Sequence, residues 1–79
     1  MLSAYIQAAM QQANYELLAD GTFYGEIPDF QGVWANEDHL ESCRSELQAT
    51  LEDWLLVRVA DHLPVPTVDG LKLIAETAA

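Results

Sequence analysis

Basic residues are scarce in this sequence. Lys and Arg number three among 79 residues, against thirteen Asp and Glu, and the formal net charge is −10. Phosphate contacts require clustered Lys and Arg, whereas Arg44, Arg58 and Lys72 lie far apart along the chain. We therefore expect no direct binding to nucleic acid. An acidic surface keeps a protein soluble or steers it towards a basic partner, and the composition leaves both interpretations open.

Cysteine and long apolar runs are also scarce. The single cysteine, Cys43, allows no internal disulfide and fits a reducing cytoplasm better than secretion. The first ten residues, MLSAYIQAAM, have no basic segment, and no apolar run reaches about 18 residues, so we expect neither a signal peptide nor a membrane span. We expect one domain over residues 1–79, which removes only about 60% of its unfolded surface from water and gains from self-association.

The sequence contains no catalytic motif and no spacing typical of a metal site. His39 and His62 each follow an acid, but they lie at opposite ends of one predicted helix, more than about 30 Å apart at 1.5 Å per residue. Cys43 lies on the apolar stripe of that helix and is most simply a small core residue. We expect no cofactor and no enzymatic activity.

A metal-dependent nuclease is the enzyme class that the acids make worth testing. Such enzymes bring carboxylates together on strands and a helix, and four candidates are Glu16, Glu26, Asp29 and Asp53. In the hairpin register described next, Glu16 and Glu26 point to opposite faces. We therefore expect them not to converge, and we interpret them as solvated surface acids.

The patterns that are present predict an α+β fold in the order α-β-β-β-α, with a three-stranded antiparallel meander packed against a long helix. Strands are expected at residues 15–19 and 22–27, joined by a two-residue loop at Asp20-Gly21 that sets Leu17 opposite Tyr24. A third strand follows at residues 33–35, after a break supplied by Pro28, Asp29 and Gly32. The first helix, with Ser3 available as its cap, has an apolar stripe of Leu2, Tyr5, Ile6, Ala9, Met10 and Ala13.

The second helix is expected to begin at an Asp38 N-cap with Glu41 in a capping box. Its core stripe is Leu40, Cys43, Leu47, Leu51, Trp54 and Leu55. Beyond Trp54 the helix is apolar nearly all round, which indicates an oligomer contact, although the β-branched LLVRVA segment is also compatible with a strand. The predicted contact residues are Leu56, Val57, Val59 and Ala60.

The end of the chain is less regular. Prolines at positions 64 and 66 should end the second helix. Residues 68–74 are compatible with a last short strand or with a turn at Asp69-Gly70, and residues 76–79 should be frayed.

Five segments stand out by their order and spacing: YEL at 15–17, FYGEIPD at 23–29, GVWA at 32–35, LESCR at 40–44 and LEDWL at 51–55. Together they resemble the HicB-like antitoxin family, whose core is a strand, a Gly-Tyr-rich strand, a PDLPG-type turn, a short strand and a capped helix. The resemblance covers roughly two thirds of the chain. Here the turn is PDFQG, Glu37-Asp38-His39 replaces the usual cap, and no DNA-binding segment follows residue 79, so operator binding is not expected.

By that resemblance, the partner would be a small basic HicA-type toxin that cleaves messenger RNA, and the antitoxin would cover its active surface. Alternation along the strands places Tyr24 and Trp34 away from their apolar neighbours, where each is as compatible with an interface as with a core. We predict a toxin contact at Tyr24, Glu26, Asp29 and Trp34. A homodimer or homotetramer is also expected. The alternatives are an oligomeric structural or regulatory protein of the same fold without a toxin, and the nuclease.

Overall fold

The structure, a computed structural model, describes residues 2–71. In chain order the elements are α1 (Leu2–Gln11), β1 (Asn14–Leu17), β2 (Phe23–Glu26), β3 (Trp34–Glu37) and α2 (Leu40–Ala60). The strands form one antiparallel sheet in the order β1-β2-β3. The predicted α+β class and the α-β-β-β-α order are confirmed.

The core lies between the inner face of β2 and β3 and one side of α2, and α1 packs on α2. Cys43, Leu47, Leu51 and Leu55 of the predicted stripe are buried, and Trp54 is half-buried. Leu40 was wrongly included, since it is 48% exposed at the first residue of the helix. On α1, the buried residues are Tyr5, Ala8, Ala9 and Met10.

The hairpin between β1 and β2 differs from the prediction by one residue. Leu17 lies opposite Phe23, and Glu16 lies opposite Tyr24. The Leu18 amide donates to the Thr22 carbonyl at 2.8 Å, so the loop has three residues and ends at Gly21 with φ +86°. A left-handed glycine at that point is the usual closure of a three-residue hairpin loop.

The shift exchanges the two faces of β1. Tyr15 and Leu17 lie on the inner face with Gly25, and Glu16 lies on the outer face with Tyr24 and Glu26. The predicted faces of β2 were right, and those of β1 were wrong. In particular, the expectation that Glu16 and Glu26 point to opposite faces was wrong.

The start of α2 also differs from the prediction. β3 continues to Glu37, and the N-cap is His39, whose side chain makes no capping hydrogen bond. The expected Asp38 cap was therefore wrong by one residue, because the strand extends further than its apolar residues. Ser3, expected as a cap of α1, lies inside that helix.

The end of α2 is set by its own backbone. The helix includes Val59 and Ala60, so the LLVRVA segment is helical and not a strand. His62 has φ +57°; its amide donates to the Val59 carbonyl at 3.2 Å, and the Leu63 amide donates to the Arg58 carbonyl at 2.8 Å. This is a Schellman motif, which ends the helix before the prolines that were expected to end it.

After α2 the chain returns to α1. The Tyr5 hydroxyl donates to the Pro66 carbonyl, and Val68 is buried. Within residues 2–71, Val68 and Leu71 pair with each other and with no other strand, around Asp69 and Gly70, so residues 68–71 form a tight turn. The rest of the expected strand, residues 72–74, and the frayed end at 76–79 lie outside the described residues.

Among residues 2–71, neither helix is both long and apolar enough to cross a bilayer.

Candidate functional site

A depression of about 450 Å³ lies where the turn between β2 and β3 meets the outer face of the sheet. Its lining includes Tyr24, Glu26, Asp29 and Trp34, so the structure brings all the predicted partner-binding residues to one place. Their role in binding stays a prediction. We call these residues, together with Glu16 on β1, the outer-face site.

An aromatic pair forms the floor of this site. The rings of Tyr24 and Trp34 are stacked with centroids 6.1 Å apart and planes 26° apart. They are diagonal neighbours on adjacent strands, because Trp34 lies opposite Glu26, two residues after Tyr24. Trp34 is 55% exposed, an unusual state for so large an apolar ring. The pair therefore presents aromatic surface to solvent, and we call it the aromatic shelf.

Two carboxylates lie beside the shelf. The Tyr24 hydroxyl donates to Glu26 Oε1 at 3.1 Å, and Glu16 lies directly across from Tyr24 on β1. The pKa of the Tyr24 phenol is raised, first by desolvation, then by this hydrogen bond and by the negative charges of Glu26 and Glu16. Both carboxylates are thus close enough to act on the phenol.

The wall of the depression is a pair of consecutive tight turns. The Phe30 amide donates to the Ile27 carbonyl at 3.2 Å, and the Val33 amide donates to the Phe30 carbonyl at 3.1 Å. The third residue of each turn has positive φ, +70° at Asp29 and +92° at Gly32. Asp tolerates this conformation and Gly adopts it without steric cost. The predicted turn chemistry of this segment is confirmed.

The turns are fixed from behind by aromatic contacts. Phe30 is buried between the two helices, with its ring centroid 5.2 Å from that of Trp54 on α2 and 6.3 Å from that of Tyr5 on α1. Trp54 Nε1 donates to the Gln31 carbonyl at 3.1 Å. The guanidinium of Arg58 lies 4.5 Å above the Trp54 ring. The position of Asp29 therefore depends on both helices.

Gly25 and Cys43 allow α2 to approach the sheet closely. A Cβ atom at Gly25 would lie 2.9 Å from the Tyr15 ring and 3.2 Å from Cys43 Sγ. The Cys43 thiol is buried and faces the Ala35 carbonyl at 3.6 Å. Burial raises the pKa of this thiol, and the Glu37 carboxylate adds to the effect. The residue is part of the core, as predicted.

Other predicted candidates are not brought together. His39 and His62 lie beyond opposite ends of α2. Within residues 2–71 no three His, Cys, Asp or Glu side chains are arranged to hold a metal ion. The predicted oligomer residues lie at the far end of α2, where Leu56 is 68% and Val57 58% exposed.

Sequence reasoning missed two contributors to the site. Glu16 was assigned to the wrong face because the loop length was misjudged. Asn36 lies outside the third strand predicted at residues 33–35, but it belongs to β3, and its side-chain amide donates to Thr22 Oγ1 and to the Phe23 carbonyl, both at 2.9 Å. The alternation of Trp34, Asn36 and their buried neighbours Val33 and Ala35 was the available signal for a longer strand.

Comparison with known proteins assigns the family. The sequence model described as UPF0150-like matches residues 4–66, which include all five elements except the first two residues of α1. The chain belongs to the UPF0150-like family. A crystal structure of TTHA0281 from Thermus thermophilus is 44% identical in sequence, with a TM-score of 0.86 over 91% of this chain and 90% of that one. No curated protein gives a significant match to this UPF0150-like sequence.

Proposed function

We propose that this UPF0150-like protein is a non-enzymatic antitoxin that binds a small basic HicA-type ribonuclease toxin and blocks access of messenger RNA to it. The observation that carries the proposal is the outer-face site, where an exposed stacked aromatic pair lies beside carboxylates. The relation of the UPF0150-like family to HicB supports it, as does the resemblance of the strand, turn and helix segments to HicB-like antitoxins. We place the complex in the cytoplasm.

Charge supports a basic partner. The formal net charge is −10, and the two bases among residues 2–71, Arg44 and Arg58, both lie on α2, behind the sheet. Opposite fields accelerate encounter between partners and disfavour wrong ones. The same charge repels RNA, so a toxin surface covered by this protein would be closed to its substrate both sterically and electrostatically.

The aromatic pair supports binding to a protein surface. Large rings at the centre of an interface contribute much of its binding energy, and Trp and Tyr are the residues most often found there. A stable interface buries about 800 Å² on each partner, more than the depression alone offers. The toxin would therefore also contact the surrounding outer face of β2 and β3.

Self-association is a second part of the proposal. Leu56, Val57, Val59 and Ala60 form an apolar end of α2 that would pack against a second copy, giving a homodimer or homotetramer. The exposure of Leu56 and Val57 supports this, since large apolar side chains clustered at a helix end favour a contact.

Growth rescue tests the proposal most simply. The proposal requires a short basic protein encoded beside this gene. That protein would be induced alone and together with this chain, and co-expression should restore growth. Glu26→Lys with Asp29→Lys should abolish rescue, whereas Glu46→Lys with Glu52→Lys, exposed acids on α2, should retain it. Rescue by the first variant, or none by the wild type, would contradict the proposal.

Two alternatives have their own tests. If the protein is instead an oligomeric structural or regulatory protein without a toxin, no short basic reading frame should adjoin the gene. The nuclease gains one supporting observation, because Glu16 and Glu26 share a face. It requires Mg²⁺-stimulated RNA cleavage by the purified protein, lost in Glu26→Gln, and we expect no cleavage.

A further inference from the structure

We propose that the outer-face site binds an arginine side chain of the partner, seated on the Tyr24–Trp34 shelf and hydrogen-bonded by the carboxylates of Glu26 and Glu16. The identity of the partner rests on the proposed function, but the chemistry of the site does not. Glu16, which the predicted register placed on the face opposite to Glu26, is thereby assigned a binding role.

The register fixes how these side chains surround one another. One row across the outer face is Asn14, Glu26 and Trp34, and the next row is Glu16, Tyr24 and Asn36. Side chains directly opposite each other in a sheet have Cβ atoms about 5 Å apart, and diagonal neighbours about 7–8 Å. Tyr24 therefore neighbours both carboxylates, Glu16 on the adjacent strand and Glu26 two residues along β2, and Trp34 is diagonal to it.

Within residues 2–71, no Arg or Lys side chain lies on the same side of the sheet as these two carboxylates. Arg58 lies over Trp54, and Arg44 is on α2, near Tyr15 of the inner face. Among the described residues, the Glu26 carboxylate accepts one hydrogen bond, from the Tyr24 hydroxyl. The face thus offers negative charge and aromatic surface together, and a cation from another molecule complements both.

Arginine fits this combination better than lysine. Its planar guanidinium stacks on an aromatic ring while its edge donates hydrogen bonds to carboxylates. The ammonium of lysine is a compact, strongly hydrated point charge that cannot present a flat face to the shelf. A nucleobase could also stack on Trp34, but the phosphates that accompany it would meet Glu16 and Glu26.

The test is an NMR titration with two blocked pentapeptides, Gly-Gly-Arg-Gly-Gly and Gly-Gly-Lys-Gly-Gly, at low ionic strength. We expect the arginine peptide to bind more tightly, by up to about fivefold, the upper end of the range for an exposed cation–π contact, and to shift the Trp34 indole signal. The Trp54 indole, on the other side of the turn, should not move. Equal affinities, or shifts confined to α2, would overturn the proposal.

Three variants sharpen the result. Trp34→Leu should abolish the preference for arginine, and Glu16→Gln should weaken arginine binding. Glu46→Gln, which makes the same charge change on α2, should leave it unaltered. Circular dichroism checks that each variant is folded. A preference that survives in Trp34→Leu, or equal losses in Glu16→Gln and Glu46→Gln, would contradict the assignment.

The peptide titration and the growth experiment can succeed or fail independently of each other. A preference for arginine without growth rescue would support the arginine site and reject the toxin as its partner. Growth rescue without a preference for arginine would support the antitoxin function and reject the arginine site. A Trp34 shift produced by a single-stranded RNA hexanucleotide, stronger than that produced by the arginine peptide, would overturn the proposal in favour of nucleic acid.

Discussion

The two tryptophans lie on opposite sides of the same turn segment. Trp34 is exposed beside Tyr24 on the outer face. Trp54 lies behind the turns, packed on Phe30 and hydrogen-bonded to the Gln31 carbonyl. Trp34 is therefore available for contact with a partner, whereas Trp54 holds the turn segment beside it in place.

Replacing the two residues should separate these roles. Trp54→Phe removes the hydrogen bond to Gln31 and should lower the free energy of unfolding by about 1 kcal/mol. Trp34→Phe, the matched change on the exposed side, should alter stability by less than about 0.5 kcal/mol. Urea unfolding followed by circular dichroism measures both. Equal losses in the two variants would contradict this division.

Gly25 is required by close packing of the sheet. Gly25→Ala places a Cβ atom 2.9 Å from two carbon atoms of the Tyr15 ring and 3.2 Å from Cys43 Sγ. We expect a loss of about 1–3 kcal/mol, the usual cost of overpacking, measured by urea unfolding. In a Tyr15→Ala background the added cost should be smaller, because the ring is gone. The same cost in both backgrounds would show that the ring is not the obstacle.

Ionisation of Cys43 should reduce stability at alkaline pH. Its pKa is raised in the folded state from the ordinary value of 9.0, so the unfolded chain loses this proton at lower pH than the folded one. The stabilisation is present below pH 9 and is lost as pH rises through the folded pKa. The free energy of unfolding, measured from about pH 8 to 10.5, should fall more steeply above pH 9 in the wild type than in Cys43→Ala. Parallel profiles would contradict the burial of the thiol.

At the scale of elements, α2 and the turns were the most predictable parts. Helical spacing of Cys43, Leu47, Leu51 and Leu55 identifies the buried side of α2, because burial on one side of a helix imposes that period. Pro28, Asp29 and Gly32 locate the break between strands, because few residue types adopt positive φ. Both signals are local and need no knowledge of the partner element.

The hairpin shows what local signals leave undetermined. Asp20-Gly21 marks a turn but not its length, since the pair occurs in two- and three-residue loops alike. Here Asp20 accepts hydrogen bonds from the Thr22 amide at 3.0 Å and from its hydroxyl at 2.6 Å, a contact compatible with the longer loop. One residue of loop length exchanges the faces of β1, so the position of Glu16 in the outer-face site could not be predicted from alternation alone.

The residues at which the helices begin and end could also not be predicted from the sequence. Asp38 is a better N-cap residue than His39, yet His39 occupies the position because β3 continues through Asn36 and Glu37. The Schellman motif at His62 uses a residue that is not glycine. In both places the surrounding structure outweighs residue preference.

At the scale of the whole molecule, shape and charge act together. The described chain extends 48 × 22 × 17 Å, and the outer-face site and the apolar end of α2 are separate surfaces. A second copy bound through the end of α2 would leave the outer-face site of each copy open. Self-association and partner binding are then compatible in one assembly.

Disrupting the end of α2 should change the mass of the assembly. Leu56→Glu with Val59→Glu adds four negative charges to a dimer contact and should lower the mass measured by light scattering to that of one chain. Glu46→Gln with Glu52→Gln, which alters charge elsewhere on α2, should leave the mass unchanged. An unaltered mass in the first variant would place the contact between copies on another surface.

The proposed function requires that the outer-face site binds another protein. The most direct measurement is the dissociation constant, by calorimetry, between this chain and a short basic protein encoded beside its gene, for the wild type and Trp34→Ala. Loss of a central aromatic contact should cost at least about 2 kcal/mol, a weakening of about thirtyfold. An unchanged dissociation constant in a folded Trp34→Ala variant would contradict the account.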